Sequence, residues 1–197
     1  MGKNNNTKKN VRFSKKKFVY TFADYNSGDG MLTSVWGPSL WHYLHTMSFN
    51  YPNSPTKQDK HHYRDFILSL RHVLPCGKCR ENLKKNFKTL PLKMKHMKNR
   101  ETFSKYVYDL HETINNMLGK KSGLTYEVVR ERYEHFRSRC VDSHNKTKKI
   151  KNTETGCVNS LYGEKSKCIL QIVPDKKKCD TFQIDKKCEK KIIPMKI

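Results

Sequence analysis

With 197 residues, 35% of them hydrophobic and 30% charged, the chain is long enough for one compact domain with polar extensions. Its formal net charge of +23 is shared as +5 over residues 1–30, +11 over 31–140 and +7 over 141–197. Charge spread that evenly describes solvated lysines, whereas a nucleic-acid reader gathers basic and aromatic residues on one face, so no specific nucleic-acid partner is expected. Met1 to Lys17 is polar and basic, and no apolar run approaches the ~18 residues that span a bilayer, so neither a signal peptide nor membrane insertion is expected.

Residues 1–30 read as a flexible basic arm rich in Lys and Asn, with Phe13, Phe18, Tyr20, Phe22 and Tyr25 as its apolar exceptions. A domain is expected over 31–140. Its first helix is predicted over Pro38 to Asn50, because Pro38 suits a first turn and Leu40, Trp41, Leu44, Met47 and Ser48 form one stripe; Pro52 and Pro55 end it. Thr56 and Asp59 form a capping pair for a second helix, where Tyr63, Phe66, Ile67, Leu70, Val73 and Leu74 recur at helical spacing up to Pro75. A short third helix starts at Cys76 and Cys79 and runs to about Lys88, with Leu83 and Phe87 inward, before Pro91 breaks the pattern.

The fourth helix is predicted over Arg100 to Leu118, where Phe103, Tyr106, Val107, Leu110, Ile114 and Met117 step by three and four until Gly119. Thr125 caps a fifth, carrying Tyr126, Val129, Tyr133 and Phe136 to about Cys140. No segment alternates as a strand, so the core is all-α. Residues 141–197 hold fourteen lysines and isolated apolar pairs such as Ile192-Ile193, and no fold is assigned to this Lys/Cys-rich tail.

The seven cysteines separate by spacing. Cys76 and Cys79 are the one C-x-x-C pair, while Cys140, Cys157, Cys168, Cys179 and Cys188 follow at intervals of 9 to 17 residues. Two thiols three apart at a helix start can close a small disulfide, and the helix end, Lys78 and Arg80 all favour the thiolate that exchanges it. The pair could instead be half of a zinc site in a basic zinc- or nucleic-acid-binding protein. The core holds no second C-x-x-C or H-x-x-H to complete it, so no metal ligands are assigned. A thioredoxin-type oxidoreductase would need a strand-helix-strand frame that is missing around Pro75 to Cys79. Trp41 and His45 lie four apart on one helix face, as do His111 and Asn115, so each pair can line a pocket.

Taken together, Trp36-Gly37-Pro38-Ser39-Leu40-Trp41-His42-Tyr43-Leu44-His45, Tyr51-Pro52, Pro75-Cys76-Gly77-Lys78-Cys79 and His111-Glu112-Thr113-Ile114-Asn115-Asn116-Met117-Leu118-Gly119-Lys120 resemble the Erv/ALR family of FAD-linked sulfhydryl oxidases. The likeness covers residues 31 to 139 in order, and looks strongest to members encoded by large DNA viruses. It implies a four-helix bundle plus a short fifth helix, an FAD cofactor and a homodimer. It also implies that Cys76 exchanges with thiols of protein substrates and that Cys79 attacks the isoalloxazine ring, with O2 as final acceptor and H2O2 as product. By position Trp36, Gly37, Trp41 and His45 match one FAD-contacting segment, and His111, Asn115, Leu118 and Lys120 another. Arg132 and Tyr133 stand near a later contact.

Three departures accompany the likeness. Glu112 stands where the family usually has Asn, Tyr133 replaces a Trp, and Tyr108 and Thr125 occupy places where many relatives carry a disulfide stapling the last two helices. Loss of such a bridge typically costs ~2 to 4 kcal/mol, which packing of Tyr126, Tyr133 and Phe136 or dimerisation must offset. Cys157, Cys168, Cys179 and Cys188 could relay electrons to the active pair, or form tail disulfides or intermolecular bridges, or stay inert thiols. The viral resemblance implies disulfide formation during virion assembly, in the host cytoplasm, a viral factory or the virion.

Overall fold

The computed structural model describes residues 21–141, 156–180 and 182–190, and for positions 140 and 141 the backbone alone. Most of the basic arm, including Phe13, Phe18 and Tyr20, and the Ile192-Ile193 pair lie outside the described residues. A short helix α1 (Phe22–Tyr25) precedes α2 (Thr33–Phe49), α3 (Lys57–Val73), α4 (Gly77–Thr89), a 3-10 turn at Met94–Met97, α5 (Arg100–Met117) and α6 (Tyr126–Glu134). The fold is all-α in its core: α2 packs on α5, α5 on α4, α4 on α3, and the shorter α6 lies against α2.

Local chemistry sets the boundaries. Thr56 and Asp59 make the expected capping box, Thr56 Oγ1 accepting from the Asp59 amide at 3.1 Å and Asp59 Oδ2 accepting from the Thr56 amide at 2.9 Å. Asn99 caps α5 by accepting from the Thr102 amide at 2.9 Å, and Gly119, at φ +67°, leaves it in a conformation open to glycine. Two helices differ from expectation. The first begins at Thr33, five residues before Pro38. Pro38 is thus the sixth residue of α2, inside the helix, where it contributes no amide donor to the helix ladder. The last ends at Glu134 rather than near Cys140, because the chain turns at His135 and Phe136 and enters a strand.

That strand, β1 (Ser138–Val141), pairs antiparallel with β2 (Gly156–Ser160), Ser138 opposite Ser160 and Arg139 opposite Asn159. This small ribbon corrects the expectation of no strand. It forms at the junction of domain and tail, where the sequence has no alternating apolar pattern to announce it. Cys140 therefore follows the last helix instead of ending it.

The stripes read by spacing converge on one core. Leu44, Ile67, Leu70, Leu83, Phe87, Phe103, Tyr106, Val107 and Leu110 are all buried, while Phe66 and Val73, read as part of the α3 stripe, are largely outside, Val73 at 66% exposure. Tyr51 is fully buried, its hydroxyl donating to the Met97 carbonyl at 3.0 Å and its carbonyl accepting from Arg100 Nε at 2.7 Å. A second cluster of Phe49, Tyr126 and Val129 joins α2 to α6. Here hydrogen bonds hold the α5–α6 junction where relatives are implied to carry a disulfide. Tyr108 donates to the Leu124 carbonyl at 2.7 Å, the hydroxyls of Ser104 and Tyr126 lie 2.8 Å apart, and Thr125 caps α6.

Candidate functional site

Cys76 and Cys79 form a disulfide, with Cα atoms 5.2 Å apart. Cys76 is the N-cap of α4, and its sulfur accepts from the Cys79 amide at 3.2 Å. A thiolate released there on reduction keeps that amide and the positive end of the helix, which lowers a thiol's pKa and favours exchange. Cys79 turns inward, packing against the main core with its sulfur 3.6 Å from the Thr33 hydroxyl at the start of α2. The cations named from sequence are engaged: Lys78 pairs with Glu81 at 3.5 Å, and Arg80 donates to the Leu74 carbonyl. The helix amide, not a lysine, touches the sulfur.

A strand of irregular chain lies over this loop. The Met31 amide donates to the Pro75 carbonyl at 2.8 Å, and the Trp36 indole donates to the Met31 carbonyl at 3.0 Å. Gly30 runs so close that a Cβ there would meet the Pro75 oxygen at 2.7 Å. Trp36 therefore acts here by fixing the segment that covers the disulfide loop.

Further along α2 the surroundings change from polar to aromatic. Trp41 stacks on His111 of α5, ring centroids 3.9 Å apart and planes 7° from parallel. His111 Nδ1 is 3.0 Å from His45 Nε2, so one of the two rings donates to the other. Tyr133 of α6 packs 5.3 Å from His45, and its hydroxyl is 3.3 Å from His42 Nδ1. Burial pushes the His45 pKa down to about 3, helped by His111 and His42, and burial likewise lowers His111 to about 4, so both rings are neutral near pH 7. Burial also raises the Tyr133 hydroxyl to about 12.

His45 Nδ1 is buried without a hydrogen-bond partner. An unmet buried polar atom costs roughly 1 to 3 kcal/mol, which a ligand's polar atom would recover. Beside it opens a cleft between α2, α5 and α6, lined by His45, His111, Glu112, Arg132 and Tyr133 and by Phe182 of the tail. Aromatic faces, neutral imidazoles and one guanidinium suit a planar, phosphate-bearing ligand. Thr33, beside the disulfide, precedes Trp41 by eight residues and His45 by twelve, about 12 and 18 Å along a helix at ~1.5 Å per residue. A ligand touching both ends must be elongated, as a flavin dinucleotide is.

The structure thus brings together Trp41, His45, His111, Arg132 and Tyr133 from the residues predicted. Gly37 is buried in α2, and a Cβ there would make only an ordinary contact with Thr33 at 3.7 Å. Asn115 donates to Glu112 at 3.0 Å, Leu118 caps α5 with 53% of its surface exposed, and the exposed Lys120 returns its amide to the Asn115 carbonyl at 2.8 Å. These three stand at the end of α5, outside the cleft lining. Glu112 takes a place in the lining and holds Asn115, so the departure from the family residue is accommodated within α5. Sequence reading missed Tyr108, Val129 and Phe182 as cleft residues. Val129 was legible as a packing position and Tyr108 as the place of a missing disulfide, whereas Phe182 stood alone in the tail. Of the tail cysteines, Cys157 is disulfide-bonded, and Cys168, Cys179 and Cys188 are free thiols.

A C-x-x-C disulfide capping a helix of an all-α bundle, with an aromatic cleft farther along the neighbouring helix, defines a helical thiol-redox protein, distinct from the thioredoxin frame. The chain belongs to the Erv1/Alr family, whose family model matches residues 38–134. It is 39% identical over 104 residues to a protein of Acanthamoeba polyphaga mimivirus named "Probable FAD-linked sulfhydryl oxidase", covering 53% of this chain and 72% of that one. To a "Putative FAD-linked sulfhydryl oxidase" of Invertebrate iridescent virus 6 it is 30% identical, covering 44% of this chain and 81% of that one. An FAD-linked sulfhydryl oxidase of Arabidopsis thaliana is 31% identical, and there the match spans 43% of this chain and 42% of the plant protein.

Proposed function

We propose that residues 31–140 form an FAD-linked sulfhydryl oxidase domain that makes disulfides in protein thiols, with residues 1–30 and 141–197 as extensions. The observation that carries this is the Cys76–Cys79 disulfide on the N-terminus of α4, with Cys79 facing Thr33 of the helix that also bears Trp41 and His45. A substrate thiolate attacks the Cys76 sulfur, and the S–S bond breaks with its electron pair leaving on Cys79. The substrate's second thiolate then displaces Cys76 from the mixed disulfide, so the substrate loses two electrons and Cys76 and Cys79 gain them.

The Cys79 amide, which bonds the Cys76 sulfur, stabilises the Cys76 thiolate that the second displacement releases. FAD, when bound, supplies the two-electron acceptor that reoxidises the pair and passes the electrons to O2, yielding H2O2. Trp41, His111, His45 and Tyr133 would hold its rings, and Arg132 its phosphates. Trp36, Gly37, Asn115, Leu118 and Lys120 extend this contact set along α2 and beyond α5. Burial keeps His45 and His111 neutral, so they can accept as well as donate hydrogen bonds without placing charge in the cleft.

The physiological partners are thiol-bearing proteins, O2 and a second copy of the chain, with no sequence-specific nucleic acid. Among the described residues no helix is long and apolar enough to cross a membrane. The similarity to viral proteins supports a setting in the virion, the host cytoplasm or a viral factory. Family membership supports this reading over that of a basic protein whose C-x-x-C pair binds zinc. The test is to follow O2 uptake and H2O2 release by the purified full chain with dithiothreitol, beside flavin and zinc content. Flavin near one per chain with O2 and H2O2 matched one to one is expected; a folded, zinc-loaded, flavin-free preparation that consumes no O2 contradicts it.

A further inference from the structure

We propose that the tail segment 182–190 is a strap that completes the cofactor cleft, with Phe182 supplying a ring against which one planar system of bound FAD packs. This rests on the flavin reading above. The Phe182 ring lies 5.9 Å from His42, 6.1 Å from Phe136 and 6.4 Å from Tyr133, and it lines the same cleft as His45, His111 and Arg132. Its 39% exposure leaves an aromatic surface uncovered at the rim of a cleft that Tyr108, Tyr133, His45 and His111 also line with rings.

Two anchors hold the strap. The Lys190 amide donates to His135 Nδ1 at 2.8 Å, while its ammonium pairs with Glu131 of α6 at 3.6 Å and sits 5.3 Å over the Tyr162 ring. The Glu164 amide donates to the Lys187 carbonyl at 2.8 Å. Gly163, at φ +64°, allows that crossing, because a Cβ there would overlap the Lys187 carbonyl and come within 2.8 Å of Cys188 C. The crossing is therefore built into the backbone. The match to the family model covers residues 38–134, so this wall of the cleft lies outside the matched segment.

Flavin-stripped full-length protein titrated with FAD, followed by flavin fluorescence, tests the strap without measuring turnover. Phe182→Ala is expected to raise the dissociation constant about tenfold and Phe182→Tyr to restore it to within about twofold, the scale of one aromatic stacking contact. Binding and strap docking are reciprocal, so FAD should also protect the wild-type chain from trypsin at Lys186 and Lys187, and protect Phe182→Ala less. Glu131→Gln, which loosens an anchor outside the cleft, should speed that cleavage and weaken FAD binding about twofold to threefold. FAD binding by Phe182→Ala as tight as, or tighter than, that of wild type overturns the proposal and makes the strap a bystander or a plug. Failure of the wild-type chain to take up any flavin overturns the oxidase reading and this one together.

Discussion

The disulfide end and the aromatic end of the site handle water in opposite ways. At the first, Cys76 and Cys79 are half-buried beside exposed Gly77 and Lys78, and one backbone amide supplies the electrostatics. At the second, His45 is 4% exposed, Trp41 stacks on His111, and burial strips both imidazoles of their usual basicity. A sulfur pair that trades with another protein must be reached from solvent, whereas a cleft that grips a planar cofactor gains from excluding water. The two ends belong to different helices, the sulfur pair to α4 and Trp41 and His45 to α2, and they meet where Thr33 of α2 touches Cys79.

The comparison breaks most sharply at the cysteines. Cys76→Ser and Cys79→Ser should each lower oxidation of dithiothreitol by at least about a thousandfold, since no disulfide remains to be exchanged. Both variants should keep their flavin, because the cysteines lie at the other end of the site. Flavin content measured alongside O2 uptake checks this, and concurrent loss of flavin would merge the two ends into one. His111→Ala removes the stack on Trp41 and the partner of His45 Nε2. FAD affinity should fall about a hundredfold in equilibrium titration, roughly 2.7 kcal/mol, while exchange of the Cys76–Cys79 disulfide with small thiols stays within about threefold of wild type.

Acid sharpens the contrast further. His45 titrates near 6.5 when unfolded and at about 3 when folded, so below pH 6.5 the unfolded chain takes up a proton that the native chain refuses. The stability is fully present above that pH and is lost progressively as the pH falls toward about 3. Between pH 7 and 5 His45 alone accounts for on the order of 2 kcal/mol, and His111 acts in the same direction. Urea unfolding of wild type and His45→Phe at both pH values measures it, and a slope unchanged by the substitution would contradict the burial of a neutral ring. The smallest effect belongs to Tyr108→Phe, which deletes the donor to the Leu124 carbonyl and should cost about 1 kcal/mol of unfolding free energy without altering the cysteine chemistry.

Much of this arrangement was legible in the residue spacing. The three-and-four steps of Ile67 and Leu70, of Leu83 and Phe87, and of Phe103 through Leu110 reported buried faces because a helix repeats its side every few residues. The four-residue interval between Trp41 and His45 reported a shared face in the same way. Its stacking partner His111 comes from a helix 66 residues after His45, and family likeness rather than periodicity joined them.

Other features left weaker traces. Pro38 hid the true start of α2, since a proline is expected in a helix's first turn whereas here it stands inside the helix, five residues after Thr33. Phe66 and Val73 kept helical spacing yet face outward, because an apolar stripe does not state how wide the neighbouring helix is. Phe182 had no periodic companions and owes its position to Gly163, Lys187 and Lys190, contacts between segments that sequence distance does not disclose. Tyr108 was recognised as the site of a missing disulfide, but its hydrogen bond to Leu124 depends on where a loop carbonyl points.

The coupling of the two ends is tested most directly by absorption spectroscopy of the purified full chain before and after anaerobic addition of dithiothreitol. The wild-type protein should be yellow and bleach on addition of the dithiol, while Cys79→Ser should be equally yellow and stay oxidised over the same period. Bleaching of Cys79→Ser at the wild-type rate, or a folded wild-type chain with no visible absorption, would contradict electron transfer from this disulfide to a flavin held by Trp41, His45 and His111.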